Sequence, residues 1–210
     1  MQYDNIIQLT VRVLAILTCF PIHESAHAWM AEKLGDPTGR DMGRISLNPR
    51  VHMDMWGTIC FLLLGIGYAK PVPVDIRNFK SPKRDFALTA IAGPLSNLLM
   101  AFVSLLILKA VIAGGAGFNM LNIVVSGLIY CAYLNISLAV FNLIPVPPLD
   151  GSRLVTALLP DRLYAVFLKY EKYSAIALFA VIFILNRVGV SPVSAASGFI
   201  FEGFLRLLGI

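Results

Sequence analysis

Two histidines and a glutamate that stand close together in an apolar run are the residues with the clearest chemical potential. They form the pattern His-Glu-x-x-His at His23, Glu24 and His27. Residues four apart lie on one face of an α-helix, so both imidazoles can point at one metal ion. Glu24 can then take a proton from a metal-bound water without binding the metal. This chemistry favours zinc, which lowers the pKa of a bound water to about 7 and polarises a carbonyl.

The alternative is a chance match in which both histidines are hydrogen-bonded residues of a protein core. Histidine is scarce, with three in the chain. An uncompensated His-Glu-His cluster inside an apolar segment would also be costly. A metal site is therefore the favoured interpretation.

A catalytic zinc site usually has three protein ligands and a water, so the pattern lacks one ligand. His52, Asp54 and Asp150 are the candidates in or near apolar sequence. Asp150 is favoured because it follows a proline-broken segment at the depth predicted for His27, where a carboxylate needs a cationic partner. Its other role would be the N-cap of a helix at 152–159, and the residues alone leave both roles open.

Two further residues near the pattern have other roles in this interpretation. Cys19 shares a helical face with His23, but we assign it to packing, since a fourth protein ligand would close the position that the water needs. His52 has three open roles, as a ligand, as a hydrogen-bonding residue of a substrate loop and as an interface histidine. We favour a structural role for it in the loop region.

Composition indicates an integral membrane protein. Of the 210 residues 58% are hydrophobic and 14% charged, and the mean hydropathy is +0.77. Soluble domains are apolar for about 45–50% of their residues. The net charge of +5 does not indicate nucleic acid as a partner, because the basic residues cluster beside apolar spans. Three scattered cysteines predict no disulfide framework, and the first apolar run does not resemble a cleavable signal peptide.

The order of apolar segments predicts an all-α polytopic bundle of about five to six transmembrane segments. We expect one domain over residues 1–210, with a catalytic core at about 6–160 and additional C-terminal spans at about 172–209. The predicted crossings are 6–31, 86–112 and 120–143, with one or two further spans in 175–185 and 193–208.

A short region at the membrane edge follows the first span. The apolar run at 56–68 is too short to cross and predicts a re-entrant or interfacial hairpin. The prolines of Pro71-Val72-Pro73-Val74 exclude helix and predict an extended, β-like edge segment. Val72 and Val74 are candidate substrate-binding residues, because such an edge offers backbone groups to an unwound substrate strand.

The distribution of Lys and Arg predicts the orientation in the membrane. Residues 33–85 contain nine of them, residues 151–173 contain four, and residues 1–5 and 113–119 contain none. The predicted spans place both basic segments on one side, which is the cytoplasm by the positive-inside rule. The N-terminus is then extracytoplasmic, and the site opens toward the cytoplasm.

Three motifs together resemble the site-2 protease family of intramembrane zinc metalloproteases. They are His23 to His27, Gly93-Pro94-Leu95-Ser96-Asn97, and the N-x-x-P-x-P-x-L-D-G run from Asn142 to Gly151. The resemblance covers about residues 10–160 and is closest to short members without inserted PDZ or appended CBS domains.

The resemblance implies a role for each matching residue. His23, His27 and Asp150 match the metal-ligand positions for one catalytic Zn²⁺, and Glu24 matches the general base. Asn142 matches an asparagine that steadies the tetrahedral intermediate, although a helix–helix hydrogen bond is its other interpretation.

The implied function is cleavage of single-span membrane proteins in the lipid bilayer of the cell membrane, as part of regulated intramembrane proteolysis. A metal-transporting or metal-sensing membrane protein is the alternative. Glu24 favours the protease, since transport needs no proton-accepting carboxylate beside the first ligand. No oligomeric state is predicted.

Overall fold

Helices account for all the regular secondary structure in the part of the chain that the structure describes. A computed structural model of the protein describes residues 9–10, 12–64, 67–114, 118–160, 162–163, 173–174, 177–178, 180–182, 184–185, 187–189 and 191–210. The α-helices are α1 (Phe20–Leu34), α2 (Thr38–Asp41), α3 (Met55–Leu64), α4 (Pro82–Ala113), α5 (Phe118–Asn142), α6 (Gly151–Leu158) and α7 (Pro192–Leu208). The all-helical prediction is confirmed for these residues.

Two helices are long and apolar enough to cross a membrane, and they match the predicted second and third crossings. They are Pro82–Ala113 and the Val124–Asn142 part of α5. In the most apolar 18-residue stretch of each helix, only 28% and 22% of the stretch is buried. Most of this apolar surface therefore faces outward, as it does in a lipid-embedded helix rather than in the core of a soluble protein. The number of spans stays a prediction. Residues 1–8 and most of 164–176 lie outside the described residues.

The first predicted span contains a local change of helix type just before Pro21. A π-helical turn over Ala15–Cys19 leads directly into α1, and Pro21 stands in its first turn. Proline has no N–H to donate to the carbonyl four residues earlier. The wider turn before it accommodates that missing hydrogen bond, and π turns of this kind are frequent at functional sites.

The membrane-edge region predicted to be re-entrant and β-like consists of α3 and an extended stretch after it. Within the described residues, 67–75 form no strand. Pro71 and Pro73 fix this backbone, because proline also confines the residue before it to extended conformations. The exclusion of helix from Pro71-Val72-Pro73-Val74 is therefore confirmed, whereas a paired strand is not observed.

A cluster of buried apolar side chains holds α7 against α4 and α5. It includes Leu105, Leu108, Ile136 and Leu208, all at most 8% exposed. Lys109 of α4 donates from Nζ to the Leu208 carbonyl at 2.5 Å, where the carbonyl end of a helix dipole favours a cation. This end of the bundle is opposite to the loops after α1.

One buried carboxylate organises the loop between α1 and α4. Asp36 is fully buried and accepts hydrogen bonds from the backbone and hydroxyl of Thr38, from Asn78 Nδ2 at 2.7 Å and from Asp75 N–H at 2.8 Å. Burial alone would raise the pKa of Asp36, but these hydrogen bonds outweigh it and hold the pKa below its ordinary value. The carboxylate thus joins the end of α1 to the end of the extended stretch.

Asp36→Asn should lower the thermal midpoint of the protein in detergent. The amide nitrogen that replaces one carboxylate oxygen cannot accept, so either the Asp75 N–H or the donors on the other oxygen lose their partner, at a cost of about 1–3 kcal/mol. Asp41→Asn is the matched control, since Asp41 is an exposed residue paired with Arg40. Equal midpoints for the two variants would contradict this account. Because the pKa of Asp36 is depressed in the folded protein, the stability that its carboxylate contributes is fully present above pH 4. That stability is lost as the pH falls through the folded-state pKa.

Candidate metal centre

Three ligand atoms from two distant parts of the chain converge at one point. His23 Nε2 lies 3.0 Å from His27 Nε2, and Asp150 Oδ2 lies 3.2 Å from the first and 3.3 Å from the second. Both histidines are buried, whereas 22% of the Asp150 side chain is exposed. The exposed part of Asp150 does not include Oδ2, which is itself buried.

This triangle fits a tetrahedral zinc ion. Ligands at about 2.0–2.1 Å from a tetrahedral ion are separated by about 3.3–3.4 Å, close to the observed spacing. Asp150 Oδ2 is buried and has no hydrogen-bond partner of its own among the described residues. A buried carboxylate oxygen in this position is costly unless a cation compensates it. Two imidazoles and one carboxylate are also the donor set of catalytic zinc sites that keep a fourth position open.

Asp150 occupies the helix position that its alternative role requires, yet its side chain does not cap. It is the N-cap residue of α6 and makes no capping hydrogen bond. The carboxylate points instead at the two histidines. Gly151 permits this turn, because a Cβ there would lie 2.2 Å from the Leu143 carbonyl oxygen. The Leu-Asp-Gly sequence therefore folds the carboxylate back over the end of α5.

The tautomer of His27 follows from a backbone contact with α4. Its Nδ1 lies 2.8 Å from the Thr89 carbonyl oxygen. A carbonyl can only accept, so Nδ1 carries the proton and Nε2 presents its lone pair to the centre of the cluster. A backbone carbonyl has no residue-type signature, and sequence reasoning therefore missed this contact.

Gly93 of α4 lies directly against both imidazoles. A Cβ at this position would lie 2.3 Å from His27 Nε2 and 2.6 Å from His23 Cε1. Small residues such as those of the Gly93–Asn97 motif allow close helix contact, and at Gly93 the partner is the metal-ligand face of α1. Only glycine leaves room for the two rings here.

The other predicted site residues lie around the cluster without belonging to it. Glu24 follows His23 on α1 and is half-buried. Asn142, the last residue of α5, donates from Nδ2 to the Leu138 carbonyl at 3.0 Å, so this hydrogen bond lies within its own helix and not between helices. Val72 packs near α1, because a Cβ on Gly39 would lie 3.2 Å from both Val72 Cγ1 and Ala28 Cβ.

The remaining ligand candidates are placed elsewhere. Among the described residues the candidate metal-binding group comprises His23, His27 and Asp150. Asp54 Oδ1 accepts from the Gly57 N–H at the start of α3. Cys19 is 2% exposed and packs with Ile16 and Phe61, which agrees with its assignment to packing.

His52 is buried in a hydrogen-bonded network beside α1. Its Nε2 lies 2.7 Å from the Ser46 carbonyl, and that carbonyl also accepts from Ser25 Oγ at 2.5 Å. Burial lowers the pKa of His52 below its ordinary value, and the charge of Arg44 acts in the same direction. The ring is therefore neutral at pH 7 and donates from Nε2. Ser25, the residue after Glu24, is the member that sequence reasoning missed.

The site, built from a His-Glu-x-x-His helix and a distant aspartate, is that of a metallopeptidase, and comparison with known proteins identifies the family. The chain matches peptidase family M50 over residues 11–185. It therefore belongs to this family, the site-2 proteases. No solved structure gives a significant match.

The curated relatives carry names that refer to zinc. The chain is 41% identical over 176 residues to "Putative zinc metalloprotease YwhC" of Bacillus subtilis, which covers 82% of this chain and 79% of the relative. It is 25% identical over 224 residues to "Putative zinc metalloprotease Rip2" of Mycobacterium tuberculosis (97% and 83%). It is 27% identical over 157 residues to "Putative zinc metalloprotease MJ0611" of Methanocaldococcus jannaschii (73% and 74%). Zinc is thus the metal that both the family and the ligand set imply.

Gly93→Ala should lower zinc affinity by about tenfold or more, because the added methyl displaces the imidazoles from the orientation that the cluster needs. Zinc competition with a chelator, followed by elemental analysis, measures the change. Gly127→Ala on α5 is the matched control, since a Cβ there meets nothing within 4 Å. An alanine variant at position 93 that holds zinc as tightly as this control would show that the two rings do not rest on Gly93.

Proposed function

We propose that this protein is an intramembrane zinc endopeptidase that cleaves other membrane proteins within or near their transmembrane segments. The observation that carries the proposal is the convergence of His23, His27 and Asp150, with Glu24 beside the first ligand, in a bundle whose long helices expose apolar surface. Family membership supports the protease chemistry, and the apolar surface supports a membrane location. Single-span proteins are the proposed substrates.

The residues have distinct roles in this proposal. His23, His27 and Asp150 hold the zinc, which when bound acidifies a water and polarises the substrate carbonyl. Glu24 accepts the proton of the attacking water and returns it to the leaving amine. Asn142 stabilises the oxyanion, for which its amide must leave the Leu138 carbonyl; such a contact is worth about 2.7–4 kcal/mol where it has been measured.

The proposed orientation places the N-terminus outside the cell and residues 35–85 and 151–173 in the cytoplasm. The charge distribution supports it, and so does a contact between the two basic segments. Lys83 donates from Nζ to the Leu159 carbonyl at 3.0 Å, so these segments lie at the same end of the bundle. In this orientation, water would reach the site from the cytoplasm past the partly exposed Asp150.

A metal-transporting or metal-sensing protein is the second candidate, since it would use the same three ligands. Glu24 separates them, because its position next to the first ligand serves proton transfer but is not required for transport.

Glu24→Gln should keep zinc and lose cleavage by about 10²- to 10⁴-fold, since an amide cannot accept the proton. The measurement is cleavage of a tagged single-span substrate in liposomes, with mass spectrometry of the cut site and elemental analysis of zinc. Glu32→Gln is the matched control on the same helix, where Glu32 pairs with Arg40. A Glu24→Gln protein that still cleaves would refute the proposal. So would a wild type that moves zinc across the bilayer and cleaves nothing.

Asp150→Ala should lower zinc content and abolish cleavage, because two imidazoles alone leave the metal without its third protein ligand. Asp54→Ala and His52→Ala serve as controls, since both were candidates by sequence and both lie outside the cluster. We expect these two variants to retain zinc. Zinc retained in Asp150→Ala but lost in His52→Ala would reverse the ligand assignment.

A further inference from the structure

The two imidazoles of the metal centre differ in what holds them in place. His27 Nδ1 lies 2.8 Å from the Thr89 carbonyl oxygen and donates to it. His23 Nδ1 is buried, and no residue in the described part of the chain is its hydrogen-bond partner. A ring that binds zinc through Nε2 carries its proton on Nδ1, and a metal-bound histidine almost always donates that proton to an acceptor. His23 therefore needs an acceptor at Nδ1.

The Nδ1 atom of His23 lies at the edge of the ring that faces α4. A Cβ on Gly93 would lie 2.6 Å from His23 Cε1, and Cε1 is the ring carbon bonded to both nitrogens. The Cε1 edge, with Nδ1 on one side of it and Nε2 on the other, is therefore turned toward α4. An acceptor for Nδ1 is thus to be sought on this helix.

Asn97 is a polar residue of α4 on the same face as Gly93. Residues four apart on a helix are neighbours on one face, with Cβ atoms about 5–6 Å apart. Thr89 contacts His27, whereas Gly93 lies against both imidazoles. The series along α4 therefore runs from His27 toward His23, and Asn97 continues it by one turn on the His23 side.

The carboxamide of Asn97 has no partner of its own among the described residues. Asn97 is 0% exposed, and both Oδ1 and Nδ2 are without a hydrogen bond there. A buried amide in this state costs about 1–3 kcal/mol, and polar residues inside a membrane bundle mark functional sites. A buried donor on His23 and a buried acceptor on Asn97 thus both need a partner.

Asn135 of α5 is the alternative acceptor. It is also 0% exposed, and its Oδ1 has no partner within the described ranges. Its amide is directed elsewhere, because Nδ2 donates to the Cys131 carbonyl at 2.9 Å and to Cys19 Sγ at 3.2 Å. Cys19 is one turn before His23 on α1, and Asn135 approaches from α5 rather than from α4. Asn135 is therefore a control of the same residue type and burial.

We propose that Asn97 is a positioning residue of the metal centre, whose Oδ1 accepts the Nδ1–H of His23 directly or through one buried water. A buried water needs two to four polar partners, and these two side chains supply three. The contact holds His23 in the tautomer that presents Nε2 to zinc, as the Thr89 carbonyl does for His27. The inference rests on the zinc ligands of the proposed function and not on its substrate.

Zinc affinity is the first test. Asn97→Leu should weaken zinc binding by about 10- to 100-fold, the usual effect of removing the hydrogen-bond partner of a metal-bound histidine. Competition with a chelator in detergent measures it. Asn97→Asp keeps an acceptor and should hold zinc as tightly as the wild type, and Asn135→Leu should leave the affinity unchanged. Weaker zinc binding in Asn135→Leu but not in Asn97→Leu would overturn the assignment.

NMR of the histidine rings supplies a readout that a merely structural role would not move. The chain has three histidines, so isotope-labelled histidine gives three ring signals in the zinc-loaded protein. We expect slowly exchanging Nδ1–H protons from His23 and His27 and an Nε2–H proton from His52. In Asn97→Leu the His23 proton should exchange faster, with the His27 proton unchanged.

Two unchanged Nδ1–H protons in zinc-loaded Asn97→Leu would refute the role of Asn97 and leave the proposed function intact. If this variant does not fold, Asn97→Asp decides, since the stronger acceptor must shift the Nδ1–H signal of His23 and no other. A wild type that binds no zinc through His23 would remove both the inference and the proposed function.

Discussion

The fold depends on placing two imidazoles and a carboxylate within about 3.3 Å of one another in an apolar bundle. Such a cluster is unfavourable without a cation, because burying its polar groups costs desolvation free energy. The protein must therefore hold the three side chains rigidly enough for metal binding to offset that cost. Three contacts meet that requirement: Gly93 lies under the rings, the Thr89 carbonyl orients His27, and Gly151 turns Asp150 inward. Each contact requires α1, α4 and the end of α5 to pack at one depth.

A network of buried polar residues lies outside the apolar helices, in the loop after α1. Loops are normally the mobile part of a protein, yet the loop after α1 contains the buried polar residues Asp36, Arg44 and His52. Their hydrogen bonds fix an extended segment whose middle has open backbone groups. The buried network thus joins this loop to α1 through Ser25.

Sequence reasoning reaches furthest where one local rule determines the geometry. The i,i+4 spacing of His23 and His27 places them on one face, and the depth of Asp150 follows from span positions. It missed Thr89 and the requirement at Gly93, because both depend on which helix packs against α1. Arg44 was counted with the other basic residues in the orientation argument, although it is buried. A charge count treats every Arg alike, whereas burial depends on the tertiary carbonyls that it meets.

The helical state of a membrane substrate bears on which segments are suited to the site. A helical amide in a membrane is protected because its carbonyl is bonded within the helix and water is scarce. Exposing one turn, about 3.6 residues, breaks several of these hydrogen bonds. Segments that already contain Gly, Pro or Asn have fewer helical hydrogen bonds or weaker helix propensity to lose. Under the proposed function, the cost of unwinding one turn therefore favours spans with a local helix-breaking residue over uniformly helical ones.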